Sequence, residues 1–147
     1  MTELQKEKIV ALAKNCLGKP YKLGATLDEA PEIFDCSSFT QWLFNQAGIE
    51  IPRSSLLQAG DKKGQEVAIT DNFSNLEIGD LVFMRSNRGY YTDELFEGRK
   101  LYIGHVAMYI GGGKVINSRL RLNGVVIQDL GEFSAEPNYE IQIIKRF

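Results

Sequence analysis

In the stretch PEIFDCSSFTQWLF, residues 31–44, a cysteine stands between an aspartate and two serines, immediately before an apolar run. A cysteine that only packs belongs among the apolar residues. One at the polar start of a helix is placed to react. Cys36 falls in the first turn of a helix expected from about Cys36 to Ala47, with Asp35 as its N-cap. The free backbone N–H groups and the positive end of the helix dipole favour thiolate over thiol, and the thiolate is the nucleophile. The Cys36 N–H is also placed to hold an oxyanion. Asp35 opposes ionisation through its own charge, so a histidine partner is needed to complete the activation. His105 is the single histidine of the chain. It opens the run HVAMYI at a strand end, where a side chain reaches a cleft. Asn117 follows on the other arm of a hairpin that turns at GGGK. From there its amide oxygen can accept the second ring N–H and set the tautomer. A lone histidine beside apolar residues equally suits a satisfied structural role, and the pattern alone leaves both readings open.

These three side chains need a scaffold. Residues Glu3 to Leu17 read as an amphipathic helix, with Ile9, Leu12, Ala13, Cys16 and Leu17 on one apolar face, Thr2 as N-cap and Gly18 past the end. Cys16 therefore reads as a small core hydrophobe. The segment GKPYKLGATLDEAPEI has no sustained period and reads as a loop. In the Cys36–Ala47 helix, Phe39, Trp42, Leu43 and Ala47 make the buried face and Gly48 ends it. IPRSSLLQAG reads as a turn and a short helix capped by Ser54 or Ser55. From Val67 onward, DLVFMR, HVAMYIG, KVINSR, VVIQDL and YEIQIIKRF read as strands. Helices first and strands later predict an α+β fold with an antiparallel sheet. GGGK lacks the Walker spacing, since Val115 follows Lys114 and strands flank the turn, so it reads as a tight hairpin.

Composition bounds the remaining possibilities. The 147 residues suit one domain with its own core, 1–147. A net charge of -2 gives no reason to expect nucleic acid or an anionic membrane as partner. No apolar run approaches the ~20 residues of a membrane span. The start MTELQKEKIV is charged and helical in pattern, unlike a secretory signal. The expectation is a cytoplasmic protein, with export by another route, loss of a leader or a phage origin as alternatives. Nothing demands a disulfide between Cys16 and Cys36. The absence of His-x-x-x-His and Cys-x-x-Cys pairs makes a structural zinc unexpected.

The segments FDCSSFTQWLFNQAGIEIPRSS, LEIGDLVFM and GHVAMYIGGGKVINS, in that order, resemble the NlpC/P60 family of papain-like cysteine peptidases, over nearly the whole chain. The resemblance implies a papain-like fold with N-terminal helices packed on a central antiparallel sheet. It implies Cys36 as nucleophile, His105 as general base and Asn117 as the polar residue that orients it. Tyr21 matches a tyrosine that lines the family's cleft and assists the oxyanion. Asp35, Ser37, Arg53 and Ser54 fall where members that cut cell-wall peptides recognise a free L-Ala amine and the following γ-D-Glu. Asp80 matches a structural turn aspartate. The implied reaction is hydrolysis of the D-γ-glutamyl–diamino acid bond in peptidoglycan stem peptides, with no metal or organic cofactor. Three features depart from the family pattern: Ser38 in place of a glycine, which would crowd the cleft; Asn117 in place of the commoner histidine; and a longer segment between Met84 and His105. That segment carries Tyr90, Tyr91, Phe96 and Tyr102 with Arg85, Arg88, Arg99 and Lys100. It is expected to form a lip of the cleft, its aromatics packing on substrate or on the sheet edge and its cations meeting substrate carboxylates. Rival readings are an amidase, acyltransferase or toxin-like effector using the same pair, or a catalytically silent binding module.

Overall fold

The computed structural model describes residues 1–87, 89–92 and 94–147. Helix α1, Glu3–Asn15, starts at Thr2, whose side chain accepts from the Gln5 N–H while Gln5 caps back. Helix α2, Cys36–Gln46, starts at Asp35 in the same reciprocal way with Ser38. Helix α3, Ser55–Gly60, is capped by Ser54. Each helix begins where a short polar side chain can satisfy an otherwise orphaned N–H, which is why these starts were legible locally. Gly48, at φ +78°, follows the end of α2, as expected.

Six strands follow: β1 Gln65–Val67, β2 Leu81–Met84, β3 His105–Gly111, β4 Lys114–Arg119, β5 Gly124–Asp129 and β6 Ile141–Arg146. They form one antiparallel sheet in the order β1-β6-β2-β3-β4-β5. A short helix, α4 Leu130–Ser134, separates β5 from β6. The fold is α+β, as expected. The edge strand β1, helix α4 and two 3-10 turns, Leu27–Glu29 and Leu120–Leu122, lay outside the sequence reading. Each is three to five residues long, too short to show a period.

Both faces of the sheet are covered, and the two-residue alternation of the strands divides the core accordingly. Leu81, Phe83, Val106, Met108 and Ile116 face α1 and α2, meeting Ile9, Ala13, Phe39, Leu43 and Phe44. Val82, Met84, Ala107, Tyr109 and Val115 face Leu130 and Phe133 of α4 on the other side. Burial of each large apolar side chain contributes about 1.5–3 kcal/mol. Cys16 sits in the first of these clusters, buried and unpaired. Asp80 is fully buried at the β2 entry. It accepts from Arg146 Nε and Nη2, both at 2.7 Å, and from the Glu77 N–H. These bonds tie the start of β2 to the last strand and give Asp80 the structural part expected of it.

The β3–β4 turn runs through Gly111, Gly112 and Gly113 at φ +92°, +61° and +74°. Three consecutive left-handed residues are accessible at low cost only to glycine. This turn folds β4 back along β3 and sets the positions of His105 and Asn117 on adjacent strands.

Candidate active site

Cys36 is the first residue of α2 and His105 the first of β3; both line a cleft of about 640 Å³. The backbone N–H groups of Val106 and Ser37 are directed at the Cys36 thiol. Because Val106 follows His105 directly, that contact brings the nucleophile to the start of the histidine's strand. On the far side of the imidazole, His105 Nε2 lies 2.7 Å from Asn117 Oδ1. Asn117 Nδ2 donates to Gln128 Oε1 at 3.0 Å and to the Val126 carbonyl. With the amide nitrogen so engaged, Oδ1 faces the ring and must accept, so Nε2 carries the proton and Nδ1 keeps its lone pair. The structure thus joins the three residues expected to carry the chemistry. Gln128 was not foreseen; its one signal is a polar residue in the apolar run VVIQD.

The resting electrostatics are those of a neutral pair. Burial pushes the Cys36 thiol up to about 11. Asp35 adds to the rise, while the two N–H groups and Arg53 oppose it. Burial likewise pulls His105 down to about 4, assisted by the Arg119 charge and opposed by the Asn117 hydrogen bond. The helix dipole therefore does not by itself hold a thiolate, consistent with the opposing charge of Asp35.

The depressed histidine makes stability depend on pH. An unfolded histidine takes up its proton near pH 6.5, the buried one only near pH 4. Between these values the unfolded state binds more protons, so the contribution is complete above pH 6.5 and lost as pH falls to 4. The expected loss is about 3 kcal/mol across that window. Urea unfolding at a series of pH values should show it as an acid-side slope that His105→Gln lacks. Equal slopes in the two proteins would contradict a buried neutral imidazole.

Asp35 organises the opposite end of the site. Its carboxylate accepts from the Ser38 N–H at 2.8 Å, the Gly24 N–H at 2.9 Å and Arg53 Nη2 at 2.6 Å, and weakly from Ser37 Oγ. Burial works to raise its pKa, but Arg53 and the two N–H groups outweigh it and hold the carboxyl below its ordinary value. Arg53 also donates to Ser37 Oγ and to the Ala25 carbonyl. Gln58, fully buried, donates to the Ser37 and Pro52 carbonyls and so fixes the first turn of α2 against the Arg53 loop. Tyr21, Asp35, Ser37, Arg53 and Ser54 all line the cleft. Ser54 spends its hydroxyl capping α3. Burial first, then the neighbouring Cys36 and Asp35, push Tyr21 up to about 12, so it stays a phenol and a donor.

Two expectations are corrected. Ser38 does not crowd the cleft: its Oγ accepts the Asp35 N–H at 2.9 Å, which turns it into the capping box. The segment 85–104 contributes Ser86, Asn87, Tyr90, Ile103 and Gly104 to the cleft, so it does form a lip, but its described cations are engaged elsewhere. Arg85 stacks over Tyr102, Lys100 lies over Tyr91, and Arg99 pairs with Glu66 through two hydrogen bonds. Arg88 lies outside the described residues. Phe96 and Ile103 anchor the segment in the core. Gly104 lets it pass close to His105, since a Cβ there would meet Ser86 Oγ.

A model of the NlpC/P60 family matches residues 18–141. The chain is 37% identical over 123 residues to a probable endopeptidase p60 of Listeria grayi, covering 83% of this chain and 19% of that protein. It is 36% identical over 112 residues to a probable endopeptidase of Corynebacterium glutamicum, covering 76% of this chain and 42% of that one. The chain thus spans less than half the length of these relatives. Among solved structures, NlpC2 from Trichomonas vaginalis superposes with a TM-score of 0.73 at 25% identity, over 97% of this chain and 47% of that one. The NlpC/p60 domain of the peptidoglycan hydrolase SagA superposes with a TM-score of 0.68 at 26% identity, over 97% and 98%.

Proposed function

The chain belongs to the NlpC/P60 family, and we propose that it is a cysteine peptidase that hydrolyses peptidoglycan stem peptides at the D-γ-glutamyl–diamino acid bond. The observation that carries the chemical part is the joined set. A thiol at a helix start and an imidazole share one cleft, and the imidazole's outer nitrogen is held by an amide oxygen at 2.7 Å. Support for the substrate comes from relatives named as endopeptidases and from a structural relative named as a peptidoglycan hydrolase. The Asp35–Arg53–Ser37 cluster supplies polar recognition at one end of the cleft.

The chemistry follows from the resting state. His105 Nδ1 takes the thiol proton as Cys36 Sγ attacks the scissile carbonyl. The imidazolium then donates to Nε2's partner Asn117 on one side and to the leaving amine on the other. The Cys36 N–H and the Tyr21 phenol are the donors for the oxyanion. Loss of the amine leaves a thioester. Neutral His105 then takes a proton from water as the water attacks the thioester carbonyl; the C–S bond breaks, the acid leaves and the imidazolium returns its proton to Cys36 Sγ. Asp35 already holds four donors, so it meets a substrate amine through its field more than through a free lone pair.

Mass spectrometry of L-Ala-γ-D-Glu-diaminopimelate peptides after incubation tests the reading. The expected products are the L-Ala-γ-D-Glu dipeptide and the diaminopimelate-containing remainder. Intact peptides, with Cys36 still alkylated by iodoacetamide, would assign the reactive thiol to another substrate. Absence of both hydrolysis and alkylation would favour a binding module.

A further inference from the structure

Arg119 lines the cleft, yet no step of the proposed reaction uses it. It stands on β4 two residues after Asn117, and β4 pairs with β5 without a break over that stretch. The pleat therefore turns both side chains to the face that Val115 presents to α4. There the Arg119 guanidinium lies over the rings of Phe133 and Tyr139, at 4.4 and 4.5 Å. Its Nη1 and Nη2 donate to the Glu136 carboxylate. Its Nε is buried and has no partner among the described residues. The imidazole of His105 packs on the same two rings, with centroids 5.6 Å from Phe133 and 6.0 Å from Tyr139. The rings also touch each other, at 5.2 Å. One aromatic pair thus carries both the imidazole and a buried cation.

We propose that Arg119 is a positioning residue for His105: with Glu136 it pins Phe133 and Tyr139 against the imidazole and holds a buried cation one ring away. The inference rests on the hydrolase reading for the part that His105 plays as base. Phe133, Glu136 and Tyr139 come from α4 and the segment after it, at three-residue spacing. Arg119 is the strand residue on which all three close. It thereby fixes that segment, and with it the wall behind the ring, to the sheet.

The cation acts on the ring with a definite sign. The Arg119 side chain is 3% exposed and that of Glu136 34%, so water screens the anion more than the cation. The imidazole therefore meets a net positive field. Burial comes first in keeping His105 unprotonated, and the Arg119 charge adds to it. A neutral imidazole is the form that can take the thiol proton. Other groups about the ring do not replace this cation. From α2 and the loops beside it come Cys36 and Tyr21, whose raised pKa values keep them uncharged in acid, and the Asp35–Arg53 pair, which balances itself. Tyr90 and Arg121, from the β2–β3 segment and the turn after β4, are exposed to water. Met84, paired with His105 on β2, carries no charge.

The chain has one histidine, so NMR of protein isotope-labelled in that residue reads its titration directly. Arg119→Met should raise the pH at which His105 titrates by about one unit. Arg119→Lys keeps the charge and should titrate close to the native protein. Glu136→Gln keeps an acceptor for the guanidinium and removes its counter-charge, so there the titration should not rise. A wall that was merely structural would loosen in both Arg119→Met and Glu136→Gln, admit water and raise the titration in both. At pH 7 the imidazole is neutral in every variant, so turnover there reads its placement. Arg119→Met should lower kcat roughly tenfold with KM little changed. An unmoved titration in Arg119→Met, an equal rise in Glu136→Gln, or a native kcat in Arg119→Met overturns the proposal. Glu136 is partly exposed, so Glu136→Gln keeps the test open if Arg119→Met does not fold. The titration needs no substrate. If it moves as expected and no stem peptide is cut, the role of Arg119 at the imidazole stands and the hydrolase reading falls. If peptides are cut and neither titration nor kcat responds to Arg119→Met, the reverse holds.

Discussion

Replacing Cys36 with alanine is expected to abolish hydrolysis while leaving the protein folded. Removal of a covalent nucleophile typically costs on the order of 10⁶ in turnover, because the partners that remain have nothing to activate. The structural cost should be small, on the order of 1 kcal/mol for a truncation of this size. Asp35, Ser38 and Arg53 organise the start of α2 through oxygens and backbone N–H groups, and none of those bonds uses the sulfur. Cys16→Ala is the internal control. Cys16 lies in the helix-side core cluster and does not line the cleft. It should lose about as much stability and keep its activity. Steady-state assays and urea melts on both variants read the two outcomes. Hydrolysis surviving in Cys36→Ala, or vanishing in Cys16→Ala, would sink the assignment.

The second large effect belongs to Asn117. Its Oδ1 is 2.7 Å from His105 Nε2, and it is itself fully buried and held by Gln128. Asn117→Ala leaves Nε2 without its acceptor and frees the ring to rotate and change tautomer. Turnover should fall roughly 10²-fold, the lower part of the range for a general acid–base contribution. Alkylation of Cys36 by iodoacetamide at pH 9 should change only a few-fold, because that reaction needs thiolate and not an oriented acid. Asn117→His should restore much of the rate, since an imidazole nitrogen there can also accept from Nε2. Turnover and alkylation falling together in Asn117→Ala would show that the residue supports the site's architecture and not the imidazole's orientation.

The Asp35–Arg53 pair has consequences for how the cleft is used. Four donors converge on one buried carboxylate, so its charge is fixed at neutral pH and is felt by the thiol as a rise in pKa. A pre-formed thiolate–imidazolium pair would need that field overcome. The site instead holds both partners neutral at rest, and in the proposed reaction the proton would be transferred during attack, when the developing charges lie side by side.

What was legible in the sequence rests on interactions among near neighbours in the chain. Asp35 caps α2 because the N–H it satisfies is three residues away, and that local fact places Cys36 at the helix start. The Gly111–Gly113 turn folds β4 onto β3 at a set register, and so brings Asn117 behind His105. The alternation of β2 and β3 follows from the pleat. Tertiary structure decided the rest. The order β1-β6-β2-β3-β4-β5 inserts the last strand between two earlier ones, and pairing across such distances leaves no local period to read. The partnership of Asp35 with Arg53 joins a helix start to a loop held by distant side chains, Gln58 of α3 on the Pro52 carbonyl and Gln41 of α2 on the Ile51 carbonyl. Arg119 is a polar residue in a strand until Phe133, Glu136 and Tyr139 arrive from α4 and the segment after it to enclose its charge. The values near 11 for Cys36 and near 4 for His105 come first from burial. Residue type and spacing therefore pointed to the groups proposed to carry the chemistry. Packing determined their charge at rest, because desolvation depends on everything that surrounds a group and not on its neighbours in the chain.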